Sequence, residues 1–314
     1  MTNKDIKILL PGGAGLVGQN LVVQLKKQGY SNIVVIDKHT TNLNILKKSH
    51  PDIECIDADL AFSGHWMKHC TNIDVIVMLQ AQIGAKTSAP FIANNINSTQ
   101  LVLDTAKKNN IPYIVHISSS VVESVADDDY TKTKKQQEDM VAASGINHCV
   151  LRPTLMFGWF DRKHFGWLSR FMKRMPVFPI PGNGKYMRQP LYVKDFCNII
   201  ISCIEIQPDK KVYNISGNEQ VDYIDIIRTI KKSQGLKTLI IKIPYSLFWV
   251  LLKIYALFSN DPPFTTDQLE ALMTKDEFEV IPWWEIFNTK VTPFEDAIIE
   301  TFCDDRYSNI TLEF

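Results

Sequence analysis

"LLPGGAGLVGQNLVVQLKKQGYSNIVVIDKHT", residues 9–40, decides the reading of the fold. Gly12, Gly15 and Gly18 stand three apart, after the apolar run IKILL and before Leu16, Val17, Leu21 and Leu25 at helical spacing. A second apolar run, NIVVID, ends in Asp37. Strand, glycine turn, helix and strand in that order put free backbone N–H groups and the positive end of a helix dipole where a phosphate can sit. Glycine permits the tight turn and lets the backbone approach a pyrophosphate. Three glycines alone would be an ordinary loop. The flanking strand and helix, and an acidic residue nineteen positions past Gly18, point to a dinucleotide site.

Asp37 can accept hydrogen bonds from both hydroxyls of an adenosine ribose and would repel a phosphate there; Gln19, not an arginine, follows Gly18. NAD is therefore expected rather than NADP. The alternation continues through IECIDADL, DVIVMLQA, PYIVHISS and HCVLRPT as strands, with helical stretches near 41–49, 91–109 and 130–144. Such near-continuous apolar strands belong to a parallel sheet covered on both faces, whose ligands bind at the carboxyl ends of the strands. The expected fold is α/β: a Rossmann-type doubly wound parallel sheet with a smaller, mostly C-terminal α/β substrate domain.

After Pro153 the rhythm breaks, and prolines and glycines crowd 176–190. Residues 1–154 are read as the NAD-binding domain. QPLYVKDFCNIIISCIEI and KVYNISG, within 189–217, are expected to return to its sheet. Residues 155–188 and 218–314 are read as the substrate domain. The strongly apolar IPYSLFWVLLKIYALF, 243–258, is too short to span a bilayer and is interrupted by Lys253. It reads as a buried helix of the second domain, with an interfacial helix resting on a membrane as the alternative.

The chain has 314 residues, 45% apolar and 22% charged, with a formal net charge of zero, an ordinary soluble profile without a basic bias toward nucleic acid. Its six cysteines form no C-x-x-C pair and lie at no metal-ligand spacing. No metal is expected, and the thiols read as reduced core residues of a cytoplasmic protein. The N-terminus has no signal-peptide pattern. Charge is unevenly spread: Arg162 to Lys194 holds eight Lys or Arg and no acid, while Ser259 to the end holds thirteen acids and three Lys or Arg. The acidic stretch reads as surface. The basic one is either a solvated face or a wall toward an anionic ligand.

The G-x-x-G-x-x-G spacing resembles the short-chain dehydrogenase/reductase superfamily, in its extended, nucleotide-sugar epimerase/dehydratase branch. The resemblance implies that Gly12, Gly15, Leu16, Val17 and Gly18 contact the cofactor. DADL, 57–60, resembles the family's adenine-side motif, which implies Asp59 and Leu60 near the adenine. VIVMLQAQ stands where the family has a strand ending in H-L-A-A, so Gln80 and Ala81 fall at the cofactor, with Met78 and Gln80 as departures. NINST, 95–99, resembles N-V-x-G-T with Ser98 in place of glycine.

HISSSVVESVADDDYTKTKKQQEDM contains Tyr130-x-x-x-Lys134, and Tyr130 is the only tyrosine with lysine four residues on. The two share a helix face after a strand that ends in serines. The resemblance implies Tyr130 as general acid/base, Lys134 as ligand of the nicotinamide ribose and depressor of the tyrosine pKa, and a serine holding the substrate oxygen. Aligned on Val122, that serine is Ser119, with Ser118 and Ser120 as neighbouring alternatives. Glu123 and Ser124 replace the tyrosine and glycine of the family's V-Y-G. The 4,6-dehydratases of this family carry an Asp-Glu pair after the serine; here Ser120 and Val121 stand there, so elimination lacks its acid and base.

LRPTLMFG, 151–158, resembles L-R-P-x-x-V-Y-G and implies Pro153 beside the nicotinamide. RQPLYVKD, 188–195, resembles R-x-x-x-H-V-x-D, with Tyr192 for the histidine and Arg188 as a substrate-phosphate ligand. Ser119, Ser120 and Arg188 are thus the expected substrate contacts. Trp159, Phe160 and Trp167 either stack a base or sugar or belong to the core. The expected function is NAD-dependent epimerisation of a nucleotide-diphosphate sugar, at C4 of a UDP-sugar. Alternatives are a dehydrogenase or reductase of a nucleotide sugar or another hydroxyl substrate, and a non-catalytic NAD-binding scaffold. The resemblance also implies a homodimer through the helices near 91–109 and 130–144.

Overall fold

The computed structural model describes residues 4–258, 269 and 278–313. The acidic residues between 259 and 277 lie outside the described residues. In chain order the first half runs β1 (Ile8–Pro11), α1 (Leu16–Lys27), β2 (Ile33–Asp37), α2 (Thr40–Ser49), β3 (Glu54–Asp57), β4 (Val75–Met78), α3 (Ala89–Phe91), α4 (Ser98–Lys108), β5 (Tyr113–Ile117), α5 (Asp129–Ala142) and β6 (Asn147–Pro153). The turn Ile92–Asn97 that joins α3 to α4 is π-helical. The second half adds β7 (Met156–Phe157), α6 (Phe165–Arg174), β8 (Val177–Pro181), β9 (Met187–Arg188), β10 (Leu191–Tyr192), α7 (Val193–Ile206), β11 (Lys211–Ile215), β12 (Val221–Asp222), α8 (Tyr223–Ser233), β13 (Leu239–Ile243), α9 (Tyr245–Phe258) and two helices at Trp283–Ile286 and Phe294–Cys303.

Seven strands form one parallel sheet in the order β11-β6-β5-β4-β1-β2-β3. This is the doubly wound order, and the direction of winding reverses between β1 and β4, where a crevice opens at the strand ends. The central strands β1, β2 and β4 are apolar almost throughout because both faces are covered, while the edge strands β3 and β11 carry polar, exposed residues. Ile8 and Leu10 point to a core shared with α1 and α7, and Leu9 points to a second core with Trp66, Val102, Leu103 and Val141. Each such aliphatic side chain contributes roughly 1.5–3 kcal/mol by leaving water.

The run 193–206, expected to return to the sheet, is instead a helix, α7. It buries Phe196, Ile199, Ile200, Cys203 and Ile204. A continuous apolar run does not tell strand from helix, but its fourteen residues are long for a strand and ordinary for a helix. KVYNI does join the sheet, as β11 beside β6. The segment 281–291 also packs on the sheet core, where Trp283 Nε1 donates to the Ser216 carbonyl at 3.1 Å. A separate apolar cluster joins α6, α8, the β8–β13 pair and the helix Phe294–Cys303.

Two expectations are corrected. Helix α9 is not buried: Leu247, Trp249, Val250, Leu251 and Ile254 are exposed. Among the cysteines, which are all free, Cys303 is exposed and Cys55 half-buried rather than core. No helix among the described residues is long and apolar enough to cross a membrane.

Candidate active site

The three glycines of the first loop do three different jobs. Gly12 has φ +77°, and a Cβ there would lie 2.5 Å from the backbone N and Cα of Gln80 at the end of β4. Gly18, inside α1, lets the helix lie on the loop, because a Cβ would overlap the backbone of Gly13. At Gly15, the N-cap of α1, a Cβ would meet nothing nearer than the Gly12 carbonyl at 3.7 Å. That position is open toward the crevice, beside the first free N–H groups of the helix. Leu16 and Val17, in the first turn, are half-buried.

Asp37 closes the loop from the neighbouring strand. One carboxylate oxygen accepts the Ala14 N–H at 3.0 Å and the other the His39 N–H at 2.9 Å. Burial raises its pKa, and these N–H bonds oppose the rise. Beyond it, Lys38 joins Asp59 (3.1 Å) to Asn94 (2.6 Å). Leu60 is buried in the second sheet core, while Ala81 is exposed. Gln80 is buried, and both ends of its side-chain amide lack a protein partner. Leaving such a group unpaired costs roughly 1–3 kcal/mol, which a polar ligand in the crevice would offset. The open face at Gly15, the orphaned amide of Gln80 and the carboxylate at the ribose end fit NAD, which these residues would hold.

Ser118, Ser119 and Ser120 follow β5 directly, and α5 begins behind its N-cap Asp128, whose carboxylate accepts the Thr131 N–H at 2.8 Å. One turn apart on α5, Tyr130 and Lys134 face the serines. The Tyr130 phenol lies beside the Ser119 hydroxyl, which itself accepts the Val121 N–H at 3.4 Å. Burial raises the phenol above its ordinary value, and the Ser119 hydroxyl works against that. Lys134 is fully buried; its Nζ donates to the Ile117 carbonyl at 2.9 Å. Burial lowers its pKa to about 7, with the Glu138 carboxylate pulling the other way.

The three serines are therefore not equivalent. Ser118 is buried and bonded to Glu138, which Arg152 grips through Nε (2.9 Å) and Nη2 (2.6 Å). Arg152 also pairs with Glu123, the residue that departs from V-Y-G. This Glu123–Arg152–Glu138–Ser118 chain braces the turn that presents Ser119. The sequence reading missed Glu138, although it lies two turns after Tyr130 on the same helix. It missed His116 as well, a buried imidazole with neither nitrogen partnered. Burial, then the neighbouring Lys134, lowers its pKa well below the ordinary value and keeps it neutral.

On the substrate side, Pro153 ends β6 and is buried, and Arg188 on β9 is half-buried with Val221 as its strand partner. Ser120 is half-buried in the short turn after Ser119. Much of the basic stretch is already engaged: Lys194 pairs with Glu300 at 2.8 Å, and Arg170 donates to the Asp161 and Arg162 carbonyls. Trp159 and Phe160 are core residues, packed with Val23 and Leu312; Trp167 stacks on Phe171 at 5.2 Å. Among the described residues there is no cluster able to hold a metal ion.

The chain is similar in sequence and fold to known proteins. The model of the NAD dependent epimerase/dehydratase family matches residues 8–216. A dTDP-glucose 4,6-dehydratase of an Actinoplanes species is 23% identical over 264 residues, covering 73% of this chain and 82% of the relative. The crystal structure of UDP-glucuronic acid 4-epimerase from Bacillus cereus with NAD is 26% identical with a TM-score of 0.66, covering 76% of this chain and 87% of that one. UDP-glucose 4-epimerase from Thermotoga maritima, 18% identical, shares the fold over 94% of this chain and 97% of its own with a TM-score of 0.73.

Proposed function

The chain belongs to the NAD dependent epimerase/dehydratase family, and from that premise we propose that it is a nucleotide-sugar epimerase acting at C4 of a UDP-sugar through a transient keto intermediate. The observation that carries the reading is the placement of Tyr130 beside Ser119, one helical turn before the buried Lys134, which donates to the Ile117 carbonyl at the strand end. Ser119 holds the sugar oxygen, and Tyr130 takes the hydroxyl proton as the carbonyl forms and returns it afterwards. Lys134, when protonated, favours the phenolate that this requires. NAD, when bound, supplies reversible hydride acceptance at C4. Arg188 contacts the substrate diphosphate, for which its planar fork is suited. The Bacillus and Thermotoga neighbours are UDP-sugar 4-epimerases, which supports this substrate class.

Dehydration is disfavoured because Ser120 and Val121 offer neither acid nor base, and Glu123 is tied to Arg152. A dehydrogenase or reductase would use the same three residues but exchange its cofactor at each turnover. A non-catalytic NAD scaffold would have no use for the Tyr130–Lys134–Ser119 arrangement. The reading includes a homodimer through α4 and α5, which light scattering would detect. Its main test is spectroscopic and chromatographic. Freshly purified protein is denatured in acid and its nucleotide quantified, and UDP-sugars are then assayed without added cofactor. Retained NAD near one per chain and interconversion of C4 epimers are expected. An empty protein that turns over only with added NAD or NADH would make it a dehydrogenase or reductase.

A further inference from the structure

We propose that the outward face of β13 and α9 docks on an anionic lipid surface. In β13 the side chains alternate: Ile240 packs toward the α6–α8 cluster, while Leu239 and Ile241 point away and are 59% and 37% exposed. After Pro244, α9 is apolar but for Ser246 and Lys253. Tyr245, Phe248 and Leu252 are its half-buried side. Leu247, Val250, Leu251 and Ile254, spaced as one helical stripe, are 44–49% exposed. A helix this apolar is normally buried in protein or in lipid, and this one faces outward. Its fourteen residues span about 21 Å, too short to cross a hydrocarbon core of about 30 Å but suited to lying in the interface.

Charge selects the occupant. From Ile226 to Asn260 the sequence holds six Lys or Arg and not one Asp or Glu. Lys232, Lys237, Lys242 and Lys253 are exposed and form no ion pair among the described residues. Lys253 lies 5.2 Å from the ring of Trp249, itself half out of the protein. Exposed aliphatic side chains, with the exposed Lys237 on the Leu239–Ile241 side by the same alternation and Lys253 beside the indole of Trp249, match the boundary between acyl chains and anionic headgroups.

Sedimentation of the full-length protein with vesicles tests this. Binding is expected to vesicles of phosphatidylcholine mixed with phosphatidylglycerol, to weaken with salt, and to be far weaker with phosphatidylcholine alone. Lys237→Gln combined with Lys253→Gln should reduce affinity for the mixed vesicles by about 30-fold. Leu247→Ser with Leu251→Ser should remove binding while thermal melting and turnover are unchanged. Failure to sediment with the mixed vesicles overturns the proposal, as does equal binding to both lipids that ignores the lysine changes. A lipid-free dimer that the two serine substitutions dissolve would also overturn it, making the face a contact with a second copy of the chain.

Discussion

The Lys134 ammonium donates to the Ile117 carbonyl at 2.9 Å, at the last residue of β5 before the serines begin. The contact fixes α5 against the strand end and so fixes Tyr130, one turn earlier, against Ser119. It also places a titratable group wholly inside the protein. Its folded pKa is about 7, while an unfolded lysine titrates near ~10.4. Between those values the unfolded chain holds a proton that the folded chain lacks, so this group makes stability rise with pH, by at most about 1.4 kcal/mol per unit. Denaturant melts should therefore show the native protein gaining about 2 kcal/mol on Lys134→Met between pH 7 and 8.5, with no change in the difference well below pH 7. A constant difference across the whole range would mean that Lys134 keeps its charge.

Tyr130→Phe removes only an oxygen, and its neighbour Ser119 remains half-exposed to water. Turnover should fall by about 10²–10⁴-fold, the usual contribution of a positioned acid/base. NAD affinity, measured by calorimetry, should be unchanged. Loss of both together would contradict the assigned role.

The glycines separate fold from binding. Gly15→Ala adds a methyl group with no close neighbour, so the melting temperature should hold while NAD affinity drops at least about tenfold. Gly18→Ala drives a methyl group into the Gly13 backbone and should destabilise the protein by about 1–3 kcal/mol even without ligand. Equal thermal losses in the two variants would refute the division of labour.

The two carboxylates on Arg152 should differ in weight. The Glu138 side chain is 13% exposed and that of Glu123 57%. Glu138→Gln removes one charge of a largely buried pair and the partner of Ser118, which should destabilise the protein by about 2 kcal/mol and slow turnover. Glu123→Gln should change stability by less than about 1 kcal/mol. Urea titrations of both variants, with kcat for each, decide it.

The sheet was legible because its central strands are buried on both faces, which leaves uninterrupted runs such as Ile33–Ile36 and Val75–Met78. The glycine loop was legible because its spacing records backbone contacts that no side chain could survive. α7 was misread because FCNIIISCIEI is equally apolar at a period of two and of 3.6. Glu138 escaped notice because its meaning depends on Arg152, fourteen residues later, and on a helix axis that sequence does not supply. The exposure of α9 ran against composition, since an apolar helix ordinarily earns its place inside.

The π-helical turn Ile92–Asn97 carries one residue more than an α-helical turn would. It thereby sets the rotational phase between the start of this helix and its continuation in α4. Beyond the turn, Thr99 accepts a hydrogen bond from Gln137 of α5 at 2.8 Å. Within it, Asn95 reaches Thr133 at 2.9 Å and the Gln82 N–H at 2.6 Å, while Asn94 meets Gln82 and Lys38. Deleting a single residue here would turn the leading part by about 100° relative to α4. The chain would keep its helix and lose the alignment, so an insertion that looks like an irregularity acts as the key that indexes the loop after β4 to the tyrosine helix.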